Sequence, residues 1–140
     1  MRKIIVSIFL VLTFLCSSAM GETAADWFSK AIALSDGKKY TDPIKAVEYL
    51  NNAINLKPED KIYYYNRGVA YANLGQYQPA IKDYNQAIRL QPDYAKAYIN
   101  RGINYLSHGN NTLGCSDAQK ACALGNCKLL EMAKGRGVCP

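Results

Sequence analysis

The chain has 140 residues, of which 49% are hydrophobic and 20% charged, and a formal net charge of +6. This length fits one compact domain and is too short for two. The basic excess is mild, and the charges alternate in sign without a lysine–arginine block, a pattern that does not favour binding to nucleic acid.

The first 21 residues have the three parts of an export signal. Arg2 and Lys3 supply positive charge. The apolar run Ile4–Leu15 is about a dozen residues long, too short to anchor stably in a bilayer core of roughly 30 Å. Small residues at Ala19 and Gly21 then fit a signal peptidase site. We therefore expect residues 1–21 to be a signal peptide, and the mature chain to be periplasmic or secreted, without an integral membrane span.

Cleavage after Gly21 would start the mature chain at Glu22, and the loss of Arg2 and Lys3 would lower the net charge to +4. A cut after Ala19 is the nearest alternative. A second alternative is lipidation of Cys16, but Leu15 stands directly before it, where a small residue is needed.

The rest of the chain repeats itself with a period of 34 residues. In the second and third blocks the recurring residues are Tyr64 and Tyr98, Asn66 and Asn100, Arg67 and Arg101, Gly68 and Gly102, and Tyr71 and Tyr105. Across neighbouring blocks, Ala46, Ala53, Leu56 and Pro58 recur as Ala80, Ala87, Leu90 and Pro92, and Asp83, Ala87 and Leu90 recur as Asp117, Ala121 and Leu124. A fixed period of this length predicts a stacked helical array. Such arrays usually present a surface to a partner, so the repeat favours a binding function over catalysis.

Within the second block, the residue types predict two helices that pack closely. Small Gly68 and Ala80 would allow close approach where the helices cross, and Gly75 marks the turn between them. Arg67 and Asp83 are sixteen residues apart, and Arg101 and Asp117 repeat this spacing. We interpret each pair as an ion pair between the two helices of one repeat, with two unrelated surface charges as the alternative.

Four cysteines lie in the last 26 residues, at Cys115, Cys122, Cys127 and Cys139. In an oxidising compartment an even number indicates two disulfides, for which three connectivities are possible. Cys115 and Cys122 would sit about 10.5 Å apart along one helix, too far to bond. A turn at 124–126 and a short helix at 128–134 would bring Cys122 beside Cys127 and Cys139 back to Cys115. We therefore predict these nested pairs and a structural role. A zinc site is disfavoured because no paired C-x-x-C spacing occurs.

The second block resembles the tetratricopeptide repeat (TPR) family when Lys61 is taken as its first position. Its signature positions hold Tyr64, Arg67, Gly68, Tyr71, Ala80, Tyr84, Ala87 and Pro92, with Arg67 as the one departure from the usual apolar residue. The third block has Gly114 and Asn126 where alanine and proline are usual, and the first block fits only with three extra residues in the loop around 36–42.

The resemblance covers nearly all of residues 22–140. It implies an all-α, right-handed superhelix of three repeats, at about 24–58, 61–94 and 95–126, closed by a disulfide-stapled capping helix within residues 127–140.

The family resemblance also implies a concave groove lined by the first helix of each repeat. Its expected lining residues are Phe28, Ile32, Tyr65, Asn66, Val69, Asn73, Lys96, Ile99, Asn100 and Ile103. In this interpretation Asn66 and Asn100 hold the backbone of an extended peptide, and the alternative is that they only satisfy neighbouring helices. Of the basic carboxylate clamp of chaperone-binding members, only Asn66 and Lys96 stand at matching positions, which does not favour recognition of a C-terminal carboxylate.

These features predict a scaffold or adaptor of the cell envelope that binds an unidentified protein or peptide in this groove, without a cofactor, a metal or an enzymatic activity. His108, the single histidine, is expected in a solvated turn and not as a catalytic base. The alternative function is that of cysteine-rich helical-repeat proteins that act on cell-wall or β-lactam compounds. Tyr63 and Tyr77 are expected at the surface, which leaves self-association open.

Overall fold

The computed structural model describes residues 21–140, and the predicted signal peptide lies outside these residues except for Gly21. The described part folds into seven helices: α1 (Ala24–Ile32), α2 (Pro43–Leu56), α3 (Lys61–Asn73), α4 (Tyr77–Leu90), α5 (Ala95–Ser107), α6 (Asn111–Ala123) and α7 (Lys128–Gly135). The helices pack as successive pairs, α1 with α2, α3 with α4, and α5 with α6, and α7 follows against α6. This is the predicted all-α solenoid with a capping helix.

Local sequence signals explain where the helices begin and turn. Thr23 and Asp26 form a capping box at the start of α1, and the side chains of Asp42 and Asp60 cap α2 and α3 by accepting backbone N–H bonds. Between α3 and α4 the chain turns at Gly75, whose φ of 71° is in the left-handed region that favours glycine. These polar caps satisfy the free N–H groups that every helix start exposes.

Small residues fill the contacts between paired helices. A Cβ atom on Gly68 would lie 2.7 Å from the Tyr84 ring and 3.2 Å from the carbonyl oxygen of Ala80, and Tyr84 is fully buried and cannot move aside. In the third pair Gly114 likewise lies against Leu106. The glycine that replaces the usual alanine at position 114 therefore makes room for a larger neighbour on α5.

Most of the core consists of alanines that are completely buried, with a few tyrosines between them. Tyr63 is one of these: it packs against Phe28 with ring centroids 5.2 Å apart. The prediction that Tyr63 lies at the surface was wrong, because this position of α3 faces α1. Tyr77 is half-buried against the ring of His108.

Two arginines connect neighbouring helix pairs. The Arg67 guanidinium donates two hydrogen bonds of 2.7 Å to the Asp83 carboxylate and a third of 2.7 Å to the amide oxygen of Asn51 on the preceding pair. Arg101 binds Asp117 in the same bidentate way and donates to Asn85. The expected ion pairs are therefore present, and each one includes an asparagine that the sequence interpretation missed.

The cap is held by two disulfides, Cys115–Cys139 and Cys122–Cys127, which are the nested pairs predicted. Cys115 and Cys139 are both buried, whereas Cys122 and Cys127 are half-buried at the turn that precedes α7. The longer bridge thus fixes the end of the chain to the start of α6, and the shorter one fixes the turn.

We expect Asp83→Ala to lower the free energy of unfolding by about 3 kcal/mol, because it leaves the Arg67 charge buried without its partner. Replacing both residues by apolar ones, as Arg67→Met with Asp83→Leu, should recover part of this loss. Urea unfolding of the two single variants and the double variant measures the difference. Lys57→Ala, which removes the exposed ion pair with Asp60, is the control and should cost less than about 1 kcal/mol. Equal losses in Asp83→Ala and Lys57→Ala would contradict a structural role for the buried pair.

The two disulfides should differ in their effect on stability. In the chain-entropy model, the separation of 24 residues between Cys115 and Cys139 corresponds to about 3 to 4 kcal/mol, and the separation of 5 between Cys122 and Cys127 to about 2 kcal/mol. Paired alanine substitutions at each bridge, compared by thermal unfolding, test this order. A larger loss from removing Cys122–Cys127 would show that the turn, and not the chain end, limits the stability of the cap.

Candidate functional site

The first helices of the successive pairs, α1, α3 and α5, carry the residues that the sequence assigns to a groove. Four of these residues are exposed: Ile32, Asn73, Lys96 and Ile103. Six are half-buried: Phe28, Tyr65, Asn66, Val69, Ile99 and Asn100. The half-buried group is held by contacts within the molecule, and the exposed group is available to a partner.

An aliphatic row runs along these three helices. Val69 and Ile103 are 34 residues apart, and Ile32 precedes Val69 by 37, which is one period plus the three extra loop residues. The end members are open to solvent, with exposed fractions of 39% for Ile32 and 41% for Ile103. The repeat thus places one aliphatic side chain at the same position of each helix pair.

The loop between α1 and α2 covers part of this surface. Its Tyr40 is buried in the core that α1, α2 and α3 share. The Tyr40 hydroxyl donates to the amide oxygen of Asn66 at 3.1 Å, and its backbone N–H donates to the side-chain oxygen of Asn73 at 2.8 Å. Two of the polar residues expected in the groove therefore hold this loop in place.

A tyrosine cluster holds the second predicted amide. Asn100 donates its side-chain N–H to the hydroxyl of Tyr65 at 3.0 Å, and the Tyr65 ring packs against Tyr84 and Tyr94. Within residues 21–140 the side-chain oxygen of Asn100 accepts no hydrogen bond. Asn66, in contrast, uses both its oxygen and its nitrogen, the latter towards the carbonyl oxygen of Ile62. The alternative in which the amides satisfy neighbouring groups thus describes Asn66 well, while Asn100 keeps an acceptor for a partner.

The hydroxyls in this cluster remain protonated at neutral pH. Burial, and to a lesser extent the nearby Tyr65, raise the pKa of Tyr40 to about 12, and the same two causes raise the pKa of Tyr94 to about 12. Tyr40 can therefore act as the donor that its bond to Asn66 requires.

Comparisons with known proteins agree with this geometry. A family model described as "Tetratricopeptide repeat" matches residues 62–94. The TPR domain of OM64 from Arabidopsis superposes with a TM-score of 0.74 at 28% identity, over 81% of this chain and 93% of that one. The chain is a tetratricopeptide repeat protein.

Two further TPR structures show the same fold. The Sgt2 TPR domain from Aspergillus fumigatus has a TM-score of 0.72 at 23% identity, covering 81% of this chain and 78% of that one. The second TPR domain of human RPAP3, determined in complex with the HSP70 peptide SGPTIEEVD, has a TM-score of 0.69 at 24% identity, covering 77% and 89%. No curated protein matches this chain by sequence.

The residues that an enzymatic interpretation would need have other partners in this TPR domain. All four cysteines from Cys115 onward are in disulfides. His108 ends α5, its Nδ1 lies 2.8 Å from the carbonyl oxygen of Asn104, and its ring stacks on Tyr77. Residues 21–140 contain no cluster of three or more histidine, cysteine or acidic side chains that would suit a metal ion, and none of their helices combines the length and apolar character that a membrane span needs.

The sequence interpretation missed Tyr40, although this residue shapes the groove most. It lies in the loop of 36–42, which has no counterpart in the other TPR blocks, so the 34-residue period gave no information about it. The asparagines that receive the arginines, Asn51 and Asn85, were also missed, but their spacing of 34 was visible in the sequence.

Tyr40 makes the stability of the protein sensitive to alkali. Because its folded pKa lies above the ordinary value of 10, folding favours the neutral phenol. This stabilisation is complete below pH 10 and is lost between pH 10 and about 12. We expect Tyr40→Phe to be less stable at pH 8 by about 1 kcal/mol, because it lacks the hydrogen bond to Asn66. The variant should then lose about 1 kcal/mol less than the wild type between pH 8 and 11. Parallel urea unfolding at both pH values tests this, and equal losses in the two proteins would contradict it.

Proposed function

We propose that this TPR protein is an exported interaction scaffold or adaptor of the cell envelope, and that a peptide or protein partner binds across α1, α3 and α5. The observation that carries the proposal is the aliphatic row of Ile32, Val69 and Ile103, whose end members are exposed on a rigid helical surface. Apolar side chains that remain exposed at equivalent repeat positions suit contact with a partner.

Three further observations support a binding role. The RPAP3 domain with the same fold was determined with a bound peptide. Asn100 has a free side-chain acceptor beside the exposed Ile103, so an extended backbone could donate to it. The two disulfides fit an oxidising compartment, which agrees with the export signal expected at the N-terminus.

The chemistry of the groove differs from that of a carboxylate clamp. Of the clamp positions, Asn66 and Lys96 match the family pattern, and the side chain of Asn66 is already bonded to Tyr40 and Ile62. Phe28 packs on Tyr63, and Ile32 presents an aliphatic surface where the clamp needs a polar or basic group. We therefore propose that apolar contact, and not a terminal carboxylate, provides most of the affinity for the partner.

Charged substitutions in the groove test the proposal. In the double variant Ile32→Glu with Ile62→Glu, both altered side chains have an exposed fraction of 39% in the wild type, so the fold should persist. The matched control is Ile44→Glu on α2, where 71% of the side chain is exposed. We expect the groove variant to capture at least tenfold less partner from an envelope extract, as quantified by mass spectrometry, because a carboxylate in an apolar contact is costly to desolvate.

The control Ile44→Glu should capture the partner as the wild type does. Circular dichroism and thermal unfolding of both variants check that the fold is intact. Identical sets of captured proteins from the wild type and the groove variant would contradict binding across α1, α3 and α5.

A further inference from the structure

A pocket of about 320 Å³ lies between α5 and the capping helix α7. Its walls include Ile103, Leu106, Leu129, Met132, Arg136 and Val138. Ile103 and Met132 stand at the open side, with exposed fractions of 41% and 45%. The volume is at the lower end of the range of roughly 300 to 1,000 Å³ for pockets that hold small ligands, so it suits one or two bulky side chains of a partner.

The cap builds the pocket and fixes its walls. Leu129 packs against Gly102 of α5, where an added Cβ would lie only 3.0 Å from the leucine side chain. Val138 is held by a 2.9 Å hydrogen bond from its N–H to the carbonyl oxygen of Ala133, and it precedes Cys139 of the disulfide to Cys115. A pocket with walls fixed in this way loses little side-chain entropy when a ligand enters.

The charge of the protein is concentrated at this end. Residues 22–94 carry nine basic and nine acidic side chains, whereas residues 95–140 carry six basic and two acidic ones. One of those two acids, Asp117, is already paired with Arg101. The excess positive charge therefore surrounds the pocket, and it attracts an acidic partner.

On α7 this charge is ordered around the apolar centre. Lys128, Met132 and Arg136 follow each other at intervals of four residues, so they lie along one side of the helix. Within residues 21–140, neither Lys128 nor Arg136 forms an ion pair. The sequence of groups along the pocket is thus positive, apolar, positive.

We propose that this pocket binds an extended segment of a partner protein in which a bulky apolar side chain is flanked, two residues away on each side, by acidic side chains. The inference deepens the proposed function, on which it rests, by naming the chemistry of the partner. It is specific to the surface between α5 and the cap and does not need a terminal carboxylate.

The spacing follows from the geometry of helices and strands. Four residues of an α-helix rise about 6 Å, and two residues of an extended chain advance about 6.6 Å. Alternate side chains of an extended segment point to the same side. Acidic, apolar and acidic residues at every second position therefore match Lys128, Met132 and Arg136 almost step for step.

Fluorescence anisotropy with a labelled pentapeptide tests this proposal. The probe has the order glutamate, alanine, phenylalanine, alanine, glutamate, and its ends are acetylated and amidated so that no terminal carboxylate contributes. The comparison probe has the same composition in the order glutamate, glutamate, phenylalanine, alanine, alanine. We expect the oxidised full-length protein to bind the first probe at least fivefold more tightly than the second.

Variants of exposed residues on α7 provide the second arm. Arg136→Glu and Met132→Asp should each weaken binding of the first probe at least tenfold. Lys134→Glu changes the same charge on the same helix but away from the pocket, so it should weaken binding less than twofold. All three sites are exposed, and thermal unfolding verifies that each variant is folded.

Three results would overturn the proposal: no binding of the first probe at millimolar protein, equal binding of the two probes, or an equal effect of Lys134→Glu and Arg136→Glu. The last two would mean that binding reflects only the general positive charge. The variant Ile32→Glu with Ile62→Glu lies at the other end of the molecule and should bind the pentapeptide normally. Failure of the peptide experiment would therefore leave the envelope-capture test of the proposed function unaffected.

Discussion

The stacking of this solenoid depends on a charged contact that recurs with the repeat. Each half-buried guanidinium, of Arg67 or Arg101, binds a carboxylate within its own helix pair and an asparagine of the preceding pair. Because arginine keeps its charge and has five N–H donors in a fixed plane, it stabilises the fold only where these acceptors are correctly placed. A sliding of one pair against the next would leave a buried charge without partners, so the contact fixes the register that alanine and glycine packing alone would leave loose.

The features that follow the 34-residue period could be read from the sequence, and those that interrupt it could not. The arginine–aspartate pairs and the close approach at Gly68 each come from residues that recur at fixed spacing. The disulfides followed from the antiparallel direction of two helices joined by a short turn. Tyr40 lies in a non-repeating loop, and its contacts with Asn66 and Asn73 depend on how that loop folds back. The pocket at the cap also escaped prediction, because it depends on the distance between α5 and α7, which local patterns do not specify.

The same loop makes the two ends of the groove different. Near α1 and α3, Tyr40 occupies space beside Asn66 and uses polar groups that would otherwise face a partner. Near α5 and α7, the corresponding region is an open apolar pocket, and Asn100 retains an acceptor. The repeat therefore makes equivalent surfaces, and the non-repeating segments decide which of them remain accessible.

The cap has a second effect besides protecting the last repeat. An end helix is needed in any solenoid because the final pair has no neighbour to cover its apolar side. Here α7 is only eight residues long, shorter than the thirteen of α5, and the disulfide from Cys139 brings the following residues back against α6. A short helix held at both ends by disulfides covers the core incompletely but rigidly, and the uncovered part becomes the pocket beside Ile103. The stabilising bridges and the accessible apolar site thus have one structural origin, the truncated helix at the end of the array.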